Sequence, residues 1–359
     1  MPESLGAIDA SWLTEALSST GLNVEIDSFR CDRIGQGVAF LGALARLSVT
    51  YRNGDGPISF VVKIPPSNQG ALAVGRLLNV WVREARFYRD LASQLPDAVS
   101  VPRCWYQAID GERSVIVLDD LAPAETRDQV VGATDGEANA AVEALARFQA
   151  HWWGQDASGQ VKWMPGIDRP NTGIGLATSM AANIDRFVDR FGHLLSDETT
   201  DWTRRFIPHV PAWLTELASH PMTVAHADYR LGNLLFGPHG QVHMIDWQTA
   251  MRTGGATDLA FFTTTSISIE SRRRNEAELL DRYINTLRES GVARSDLAHV
   301  RDDYAESILW WMAMLSNNLA NIDAPDEKST ALFDSMLTRM HTAASDHDLG
   351  RVIDRLERR

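Results

Sequence analysis

Residues 226–236 read His226-Ala-Asp228-Tyr-Arg-Leu-Gly-Asn233-Leu-Leu-Phe236, and residues 244–247 read Met244-Ile-Asp246-Trp247. Asp228 and Asn233 lie five residues apart, as in the pattern D-x-x-x-x-N, where the acid meets a substrate hydroxyl and the amide holds magnesium. Asp246 supplies a second metal ligand, because magnesium prefers oxygen donors from one or two carboxylates together with phosphate oxygens. These residues therefore predict phosphoryl transfer from a metal-bound nucleotide, with Asp228 as the catalytic residue.

A short hairpin is predicted between the two acids. Residues 234–236 and 242–245 have the apolar pattern of strands, and Gly237-Pro-His-Gly240 between them is typical of a turn. Such a hairpin would return Asp246 beside Asn233. Each residue also has a structural interpretation, since Asn233 could cap a turn and Asp246 could be an exposed acid at a strand end. It is their combination that favours a phosphotransferase site.

Composition limits the class of protein. The chain has 359 residues, 44% of them hydrophobic and 23% charged, which is ordinary for a globular protein with room for two cores. A formal charge of -13 argues against nucleic-acid binding, which draws on many Lys and Arg side chains. Residues 1–9 lack the basic and apolar regions of a secretory signal, so we expect no such signal. No uncharged apolar run reaches the ~18 residues of a membrane span, and the two cysteines lack metal-ligand spacing. We expect a cytoplasmic protein with no membrane or nucleic-acid partner.

A lysine in a strand-like run and a glutamate in a predicted helix form a second candidate group. Lys63 is one of only three lysines and lies in the apolar run Ser59-Phe-Val-Val-Lys-Ile64. It could bind the nucleotide α- and β-phosphates, or it could extend from a strand edge to water. Glu84 lies in a helix predicted over residues 72–91, where it could pair with Lys63 or be an exposed acid beside Arg83.

The N-terminal part reads as an antiparallel meander. A helix around residues 8–17 precedes predicted strands at 29–34, 44–51 and 58–64. Gly35 and Gly37, between the first two strands, are candidate phosphate contacts because glycine lets the backbone approach a ligand closely. Phe40 replaces the third glycine of G-x-G-x-x-G, so a plain hairpin loop is an equal alternative. The sequence contains no G-x-x-x-x-G-K-[ST], which excludes P-loop NTPases.

A hinge is predicted after two further strands at residues 103–109 and 113–118. There the backbone of Asp119-Asp120-Leu121 could meet an adenine edge, and we select Asp119 and Leu121 as cofactor-binding residues. Pro123 marks the boundary between a nucleotide-binding lobe, residues 1–121, and a catalytic and substrate-binding lobe, residues 122–359. Helical patterns dominate the second lobe, at residues 137–153, 180–195 and 211–217 and through the last third of the chain.

The order of these parts resembles the aminoglycoside phosphotransferase and choline kinase group of the protein-kinase-like fold. The Asn233-Leu-Leu-Phe236 run, Leu118-Asp-Asp-Leu121 and Asp258-Leu-Ala-Phe-Phe262 look most like its ecdysteroid-kinase-like branch and bacterial relatives. The resemblance implies an α+β, two-lobed fold with a small antiparallel-sheet N-lobe and a larger, mostly helical C-lobe. It also implies an ATP- and Mg2+-dependent kinase, monomeric or homodimeric, that phosphorylates a hydroxyl of a small molecule such as an amino sugar, an amino alcohol or a steroid-like alcohol.

Residue roles follow from the same resemblance. Asn233 and Asp246 would be magnesium ligands, and Lys63 and Glu84 would position the phosphates. Asp258 would brace the catalytic segment without touching substrate. Trp247-Gln248 stands where protein kinases have Phe-Gly, and A-P-E is absent, so protein substrates are disfavoured.

Two other functions and the acceptor site stay open. A catalytically silent nucleotide-binding pseudokinase is the alternative function, and a metal-dependent phosphate-ester hydrolase is a further rival. The acceptor is expected in the helical lobe, lined by residues 154–175 and by helices near Trp310, Trp311 and Asn317. Those aromatic side chains would suit an apolar or cationic alcohol, although core packing explains them equally well.

Overall fold

A five-stranded antiparallel sheet organises the N-terminal part of the chain. Its strands are β1 (Glu25–Ile34), β2 (Ala43–Asn53), β3 (Ser59–Ile64), β4 (Cys104–Asp110) and β5 (Arg113–Asp119). They lie in the order β1-β2-β3-β5-β4, and every neighbouring pair is antiparallel. The computed structural model describes residues 1–35, 41–155, 159–322 and 326–358. The predicted meander is confirmed, with strand ends moved by a few residues.

Both faces of the central strands are covered. Phe60, Val62 and Ile64 of β3 alternate along one face, which packs against helix α1 (Ala10–Ser18) in a single apolar core. Lys63 lies between Val62 and Ile64 and therefore points to the other face, because successive side chains of a strand alternate between its two faces. Helix α3 (Val80–Asp90) packs on β4 and β5.

The single helix predicted over residues 72–91 is wrong, because the chain forms two helices there. Helix α2 (Gln69–Leu77) is followed by α3, and Asn79 between them has a φ of 52°, in the left-handed region that Asn tolerates better than most residues. Gly75 of α2 lies against the Trp81 ring, where an added Cβ would come within 2.2 Å of a ring carbon. The break thus lets α2 pack closely against the start of α3.

Helices make up most of the remaining chain. They are α4 (Asp135–His151), α5 (Thr172–Phe191), α6 (Asp197–Phe206), α7 (Val210–Leu217), α8 (Ala256–Thr265), α9 (Ile269–Glu289), α10 (Val300–Leu319), α11 (Glu327–Asp346) and α12 (Gly350–Glu357). Four short strands accompany them: β6 (Thr223–Ala225), β7 (Leu234–Phe236), β8 (Val242–Met244) and β9 (Met251–Thr253). The predicted α+β class, with a sheet-rich N-terminal region and a helical C-terminal region, is confirmed.

Helix α8 was not predicted, because all ten of its residues are buried and it has no polar face. The hydroxyl groups of Thr263, Thr264 and Thr265 donate hydrogen bonds to the carbonyls four residues earlier, at 3.0, 2.6 and 2.6 Å. These carbonyls belong to Leu259, Ala260 and Phe261. A threonine that bonds its own helix in this way can be buried without an unsatisfied hydroxyl. Amphipathic periodicity, the main sequence signal for a helix, is absent from such a segment.

The chain divides into two compact units that are discontinuous in sequence. Unit one comprises Met1–Leu95, Ser100–Ala124 and His243–Thr249, and unit two comprises Pro96–Val99, Glu125–Val242 and Ala250–Arg359. Asp246 therefore belongs to the sheet-bearing unit, whereas Asp228 and Asn233 belong to the helical one. The lobe boundary after residue 121 stays a prediction. In the part of the chain that the structure describes, no helix is both long and apolar enough to cross a membrane.

Candidate active site

A buried lysine joins two carboxylates in unit one. The Nζ of Lys63 lies 2.8 Å from Oε2 of Glu84 and 2.7 Å from Oδ1 of Asp246. Lys63 is 6% exposed and Glu84 is 2% exposed. The alternative interpretations, a lysine that extends to water and an exposed helix glutamate, are therefore wrong. The predicted ion pair between the strand lysine and the helix glutamate is confirmed.

Burial and charge act in opposite directions on this cluster. Burial alone would lower the pKa of Lys63, but the carboxylates of Asp246 and Glu84 outweigh it, and the pKa is raised. Burial raises the pKa of Glu84, although the adjacent ammonium favours its ionised form. Lys63 therefore stays charged, and its charge is held where water does not screen it.

Asp246 is held at the cluster by its neighbours in sequence. Its φ of 66° lies in the left-handed region, which is uncommon for a residue other than glycine. Trp247 stacks on Phe87 of α3 with ring centroids 3.9 Å apart, and the Gln248 amide donates to the Leu41 carbonyl at 3.3 Å. The Trp-Gln pair that distinguishes this chain from protein kinases thus attaches the segment after Asp246 to unit one.

A second polar group forms in unit two around Asp228 and Asn233. The Asn233 amide donates to the backbone carbonyl of Asp228 at 2.9 Å and to its Oδ2 at 2.7 Å. Asn233 ends a 3₁₀ turn, Leu231–Asn233, and is 4% exposed. Among the described residues none donates a hydrogen bond to the Asn233 Oδ1. Asn233 therefore orients Asp228 through its amide N–H groups, and its amide oxygen stays available as a metal ligand.

Asp258, a fully buried acid in α8, braces the segment before Asp228. Its carboxylate accepts the backbone N–H of His226 at 2.7 Å, that of Ala227 at 2.8 Å and the Gln149 amide at 3.1 Å. Burial raises the pKa of Asp258 to about 6. His226 and the donated N–H groups act in the opposite direction, because they favour the ionised carboxylate. The bracing role expected for this residue is confirmed.

Replacing Asp258 by Asn is expected to destabilise the protein by about 2–4 kcal/mol, because an amide cannot accept all three donors and turns an N–H toward one of them. Urea unfolding measures the change. Asp185→Asn is a matched control, since its carboxylate is 82% exposed and, among the residues that the structure describes, pairs only with Arg204 at the surface. Equal unfolding midpoints for the two variants would contradict the bracing role.

A further brace was not predicted from the sequence. Oε1 of Gln129 accepts the Gly232 N–H at 3.0 Å, and the Ser266 hydroxyl accepts the Leu231 N–H at 2.9 Å. Arg339 of α11 in turn donates to the Gln129 carbonyl at 2.8 Å. The partners in these three contacts are 103, 35 and 210 residues apart in sequence, and no local pattern marks them.

The predicted glycine loop and hinge are placed only in part. Gly35 follows β1 with a φ of 70°, whereas Gly37 lies outside the described residues. The Asp119 carboxylate accepts the Trp105 indole N–H, so its side chain is already engaged. Within the described ranges, the Leu121 N–H donates to no protein group, as an adenine contact requires. The cofactor-binding roles of these residues stay predictions.

The tryptophans proposed to line an acceptor site are packing residues. Trp310 and Trp311 are 5% and 6% exposed. The Trp311 indole N–H donates to the Thr257 carbonyl at 2.7 Å, and Trp310 stacks on Trp213 with centroids 5.5 Å apart. The Asn317 oxygen accepts the Ser179 hydroxyl at 2.8 Å. Core packing therefore explains the two tryptophans.

The donor atoms suit magnesium. Asn233 offers an amide oxygen and Asp246 a carboxylate that is 33% exposed, and hard oxygen donors of these two kinds are what magnesium prefers. Neither residue offers the sulfur or imidazole ligand that is typical of zinc.

Comparison with protein families identifies the chain. A model of the ecdysteroid kinase-like family matches residues 36–293, well over half of the sequence. The chain belongs to the ecdysteroid kinase-like family. The family match covers both of the polar groups described above, since it includes Lys63, Glu84 and Asp246 as well as Asp228 and Asn233. A search among curated proteins finds no matching relative.

Solved structures share the fold of this ecdysteroid kinase-like protein at low identity. Spectinomycin phosphotransferase APH(9)-Ia, in complex with ADP and spectinomycin, aligns with a TM-score of 0.53 and 12% identity over 95% of this chain and 99% of that one. Amicoumacin kinase hAmiN, in complex with AMP-PNP, Ca2+ and Ami, aligns with a TM-score of 0.52 and 12% identity over 94% of each chain. Choline kinase LicA from Streptococcus pneumoniae has a TM-score of 0.50 and 14% identity over 93% and 98%. These likenesses show the kinase-like fold.

Proposed function

We propose that this protein transfers the γ-phosphoryl group of Mg·ATP to a hydroxyl group of a small molecule, such as an amino sugar, an amino alcohol or a steroid-like alcohol. The observation that carries the proposal is the buried Lys63 ammonium between Glu84 and Asp246. Burying the charges of Lys63 and Glu84 is costly, and such groups are commonly retained where a site needs them. A lysine in this setting can bind phosphates when its carboxylate partners are in place.

Each of these residues has its own role in the proposed reaction. Asp228 would align the acceptor hydroxyl and take its proton, and the Asn233 amide fixes the orientation of the Asp228 carboxylate. Lys63 would bind the α- and β-phosphates, with Glu84 holding its ammonium in place. Asn233 and Asp246 would hold magnesium, which when bound neutralises charge on phosphate oxygens. A loose phosphoryl transition state needs little more from the protein than positioning and charge.

The family and the fold support this assignment by analogy. Structures with the same fold hold ADP or AMP-PNP, one of them with Ca2+, and their names describe phosphotransferases or kinases of small molecules. A silent pseudokinase would have no physical need to keep a buried Lys63, an oriented Asp228 and two magnesium donors together. The acceptor class is the part of the proposal that rests on analogy alone.

A coupled assay tests the proposal against its rivals. The protein is incubated with Mg·ATP and a panel of amino sugars, amino alcohols and steroid-like alcohols, and ADP and inorganic phosphate are measured separately. Acceptor-dependent ADP formation is expected. Phosphate release without an acceptor would indicate a hydrolase, and nucleotide binding with neither product would indicate a pseudokinase. Asp228→Asn is the matched control for a contaminating kinase.

A further inference from the structure

Arg230 occupies the same short segment as the proposed catalytic residue and has no role so far. Its Nε lies 3.3 Å from Oδ1 of Asp228, and its side chain is only 12% exposed. The two oxygens of Asp228 are thus held from both sides, Oδ1 by this guanidinium and Oδ2 by the Asn233 amide. The guanidinium is fixed beside the acid and does not extend into solvent.

Gly232 provides the space for that guanidinium. A Cβ added at Gly232 would come within 2.3 Å of Nη1 and 3.3 Å of Cζ of Arg230. The Gly232 backbone is not in the left-handed region, so its conformation does not require glycine. The Gly232 N–H is held independently by Gln129. The missing side chain is therefore explained by the room that Arg230 occupies.

Most donors of Arg230 remain available. A guanidinium has five N–H donors in a rigid planar fork, and in the part of the chain that the structure describes neither Nη1 nor Nη2 donates a hydrogen bond. Pairing with Asp228 uses only Nε, and it does not by itself explain why the two terminal nitrogens of Arg230 occupy the space left by Gly232. Two parallel N–H groups match the oxygens of a phosphoryl group, with which arginine forms charge-assisted bonds.

We propose that Arg230 is a catalytic residue that contacts the γ-phosphoryl group as it is transferred. This inference rests on the proposed kinase function. In the step, a bond forms between the acceptor oxygen and the γ-phosphorus, and the bond from that phosphorus to the β,γ-bridging oxygen breaks. The hydroxyl proton goes to the Asp228 carboxylate, and ADP is the leaving group. Arg230 exchanges no proton and offsets the negative charge on the equatorial oxygens.

Nucleotide affinity tests the contact without knowledge of the acceptor. Calorimetry compares Mg·AMP-PNP with Mg·ADP for the wild type, Arg230→Ala and Arg230→Lys. The wild type is expected to prefer Mg·AMP-PNP, and Arg230→Ala to lose about tenfold or more of its affinity for that ligand alone. Arg230→Lys should keep part of the preference, because it retains the charge and loses the fork. Once an acceptor is known, kcat of Arg230→Ala should fall by about 10²–10³.

Gly232→Ala tests the same contact with Arg230 present, because the new Cβ displaces the guanidinium from its place. It should reproduce the selective loss of Mg·AMP-PNP affinity. Gly136→Ala is the matched control, since an added Cβ there meets nothing within 4 Å. Thermal melts of all variants verify folding. Added guanidinium ion should partly restore the Arg230→Ala variant and should not affect Gly232→Ala.

The possible outcomes separate this inference from the function on which it rests. A wild type that binds neither magnesium nucleotide overturns both. A wild type that binds the two nucleotides equally, or folded arginine and glycine variants that retain its preference, overturn the Arg230 contact alone. Equal losses of Mg·ADP and Mg·AMP-PNP affinity also overturn it, because the guanidinium would then act on the part that the two nucleotides share.

Discussion

Asp228→Asn is expected to lower kcat by about 10²–10⁴, the usual contribution of a positioned group that handles a proton. Asparagine keeps the size of the side chain but cannot accept the hydroxyl proton. Its amide also changes the contacts with Arg230 and with the Asn233 amide, both of which now face a carboxylate. Mg·ADP lacks the γ-phosphoryl group near Asp228 and Arg230 and is bound by other residues in the proposal, so its affinity should remain within about twofold.

Steady-state kinetics with the acceptor found in the coupled assay measures kcat, and calorimetry with Mg·ADP measures nucleotide affinity. Asp185→Asn provides the control, because it makes the same chemical change at an exposed acid of unit two. Near-normal turnover by Asp228→Asn would remove the residue from catalysis. Equal losses of affinity and turnover would instead assign it to nucleotide binding.

The parts of the site that could be predicted are those whose signal is local. D-x-x-x-x-N fixes Asp228 and Asn233 on one short loop, where five residues suffice to bring the amide to the carboxylate. Lys63 was identifiable because a charged residue within a strand-forming apolar run needs a partner. Glu84 followed because a buried lysine requires an acid, and the nearby helix contained one among apolar neighbours.

The parts that could not be predicted depend on distant partners or on local exceptions. The contact of Gln129 with Gly232 and that of Arg339 with Gln129 join segments far apart in sequence, which no periodicity reveals. The break at Asn79 depends on one residue adopting left-handed backbone within an otherwise helical pattern. Arg230 and Gly232 are neighbours, yet glycine in a loop usually indicates backbone freedom, and here it indicates space for a side chain.

The strands of the hairpin could be predicted from the sequence, whereas their division between the two units could not. Strand β7 has the predicted bounds, and β8 ends one residue earlier than expected. The Gly237 N–H donates to the Gln241 carbonyl at 2.9 Å and closes the turn between them. The division of the chain into units, however, falls within β8, and no turn signal indicates that His243–Thr249 packs with the sheet.

Lys63→Met is expected to impair both function and stability, and its two effects can be separated. Methionine approximates the length of the lysine stem but removes the ammonium from between Glu84 and Asp246. Breaking a buried ion pair from one side typically costs about 3–5 kcal/mol, because the remaining charge stays buried without a partner. Loss of the phosphate-binding charge should also lower turnover by about 10²–10³.

The double variant Lys63→Met/Glu84→Gln distinguishes these causes. Neutralising Glu84 removes the acid that Lys63→Met leaves buried, and a glutamine oxygen can still accept the backbone N–H of Trp247 that Glu84 accepts. Urea unfolding should therefore show that the double variant recovers much of the stability lost by the single one. Turnover and Mg·AMP-PNP affinity should stay low in both, since neither has the ammonium. If activity returned together with stability, Lys63 would be a structural cation and the phosphate assignment would be wrong.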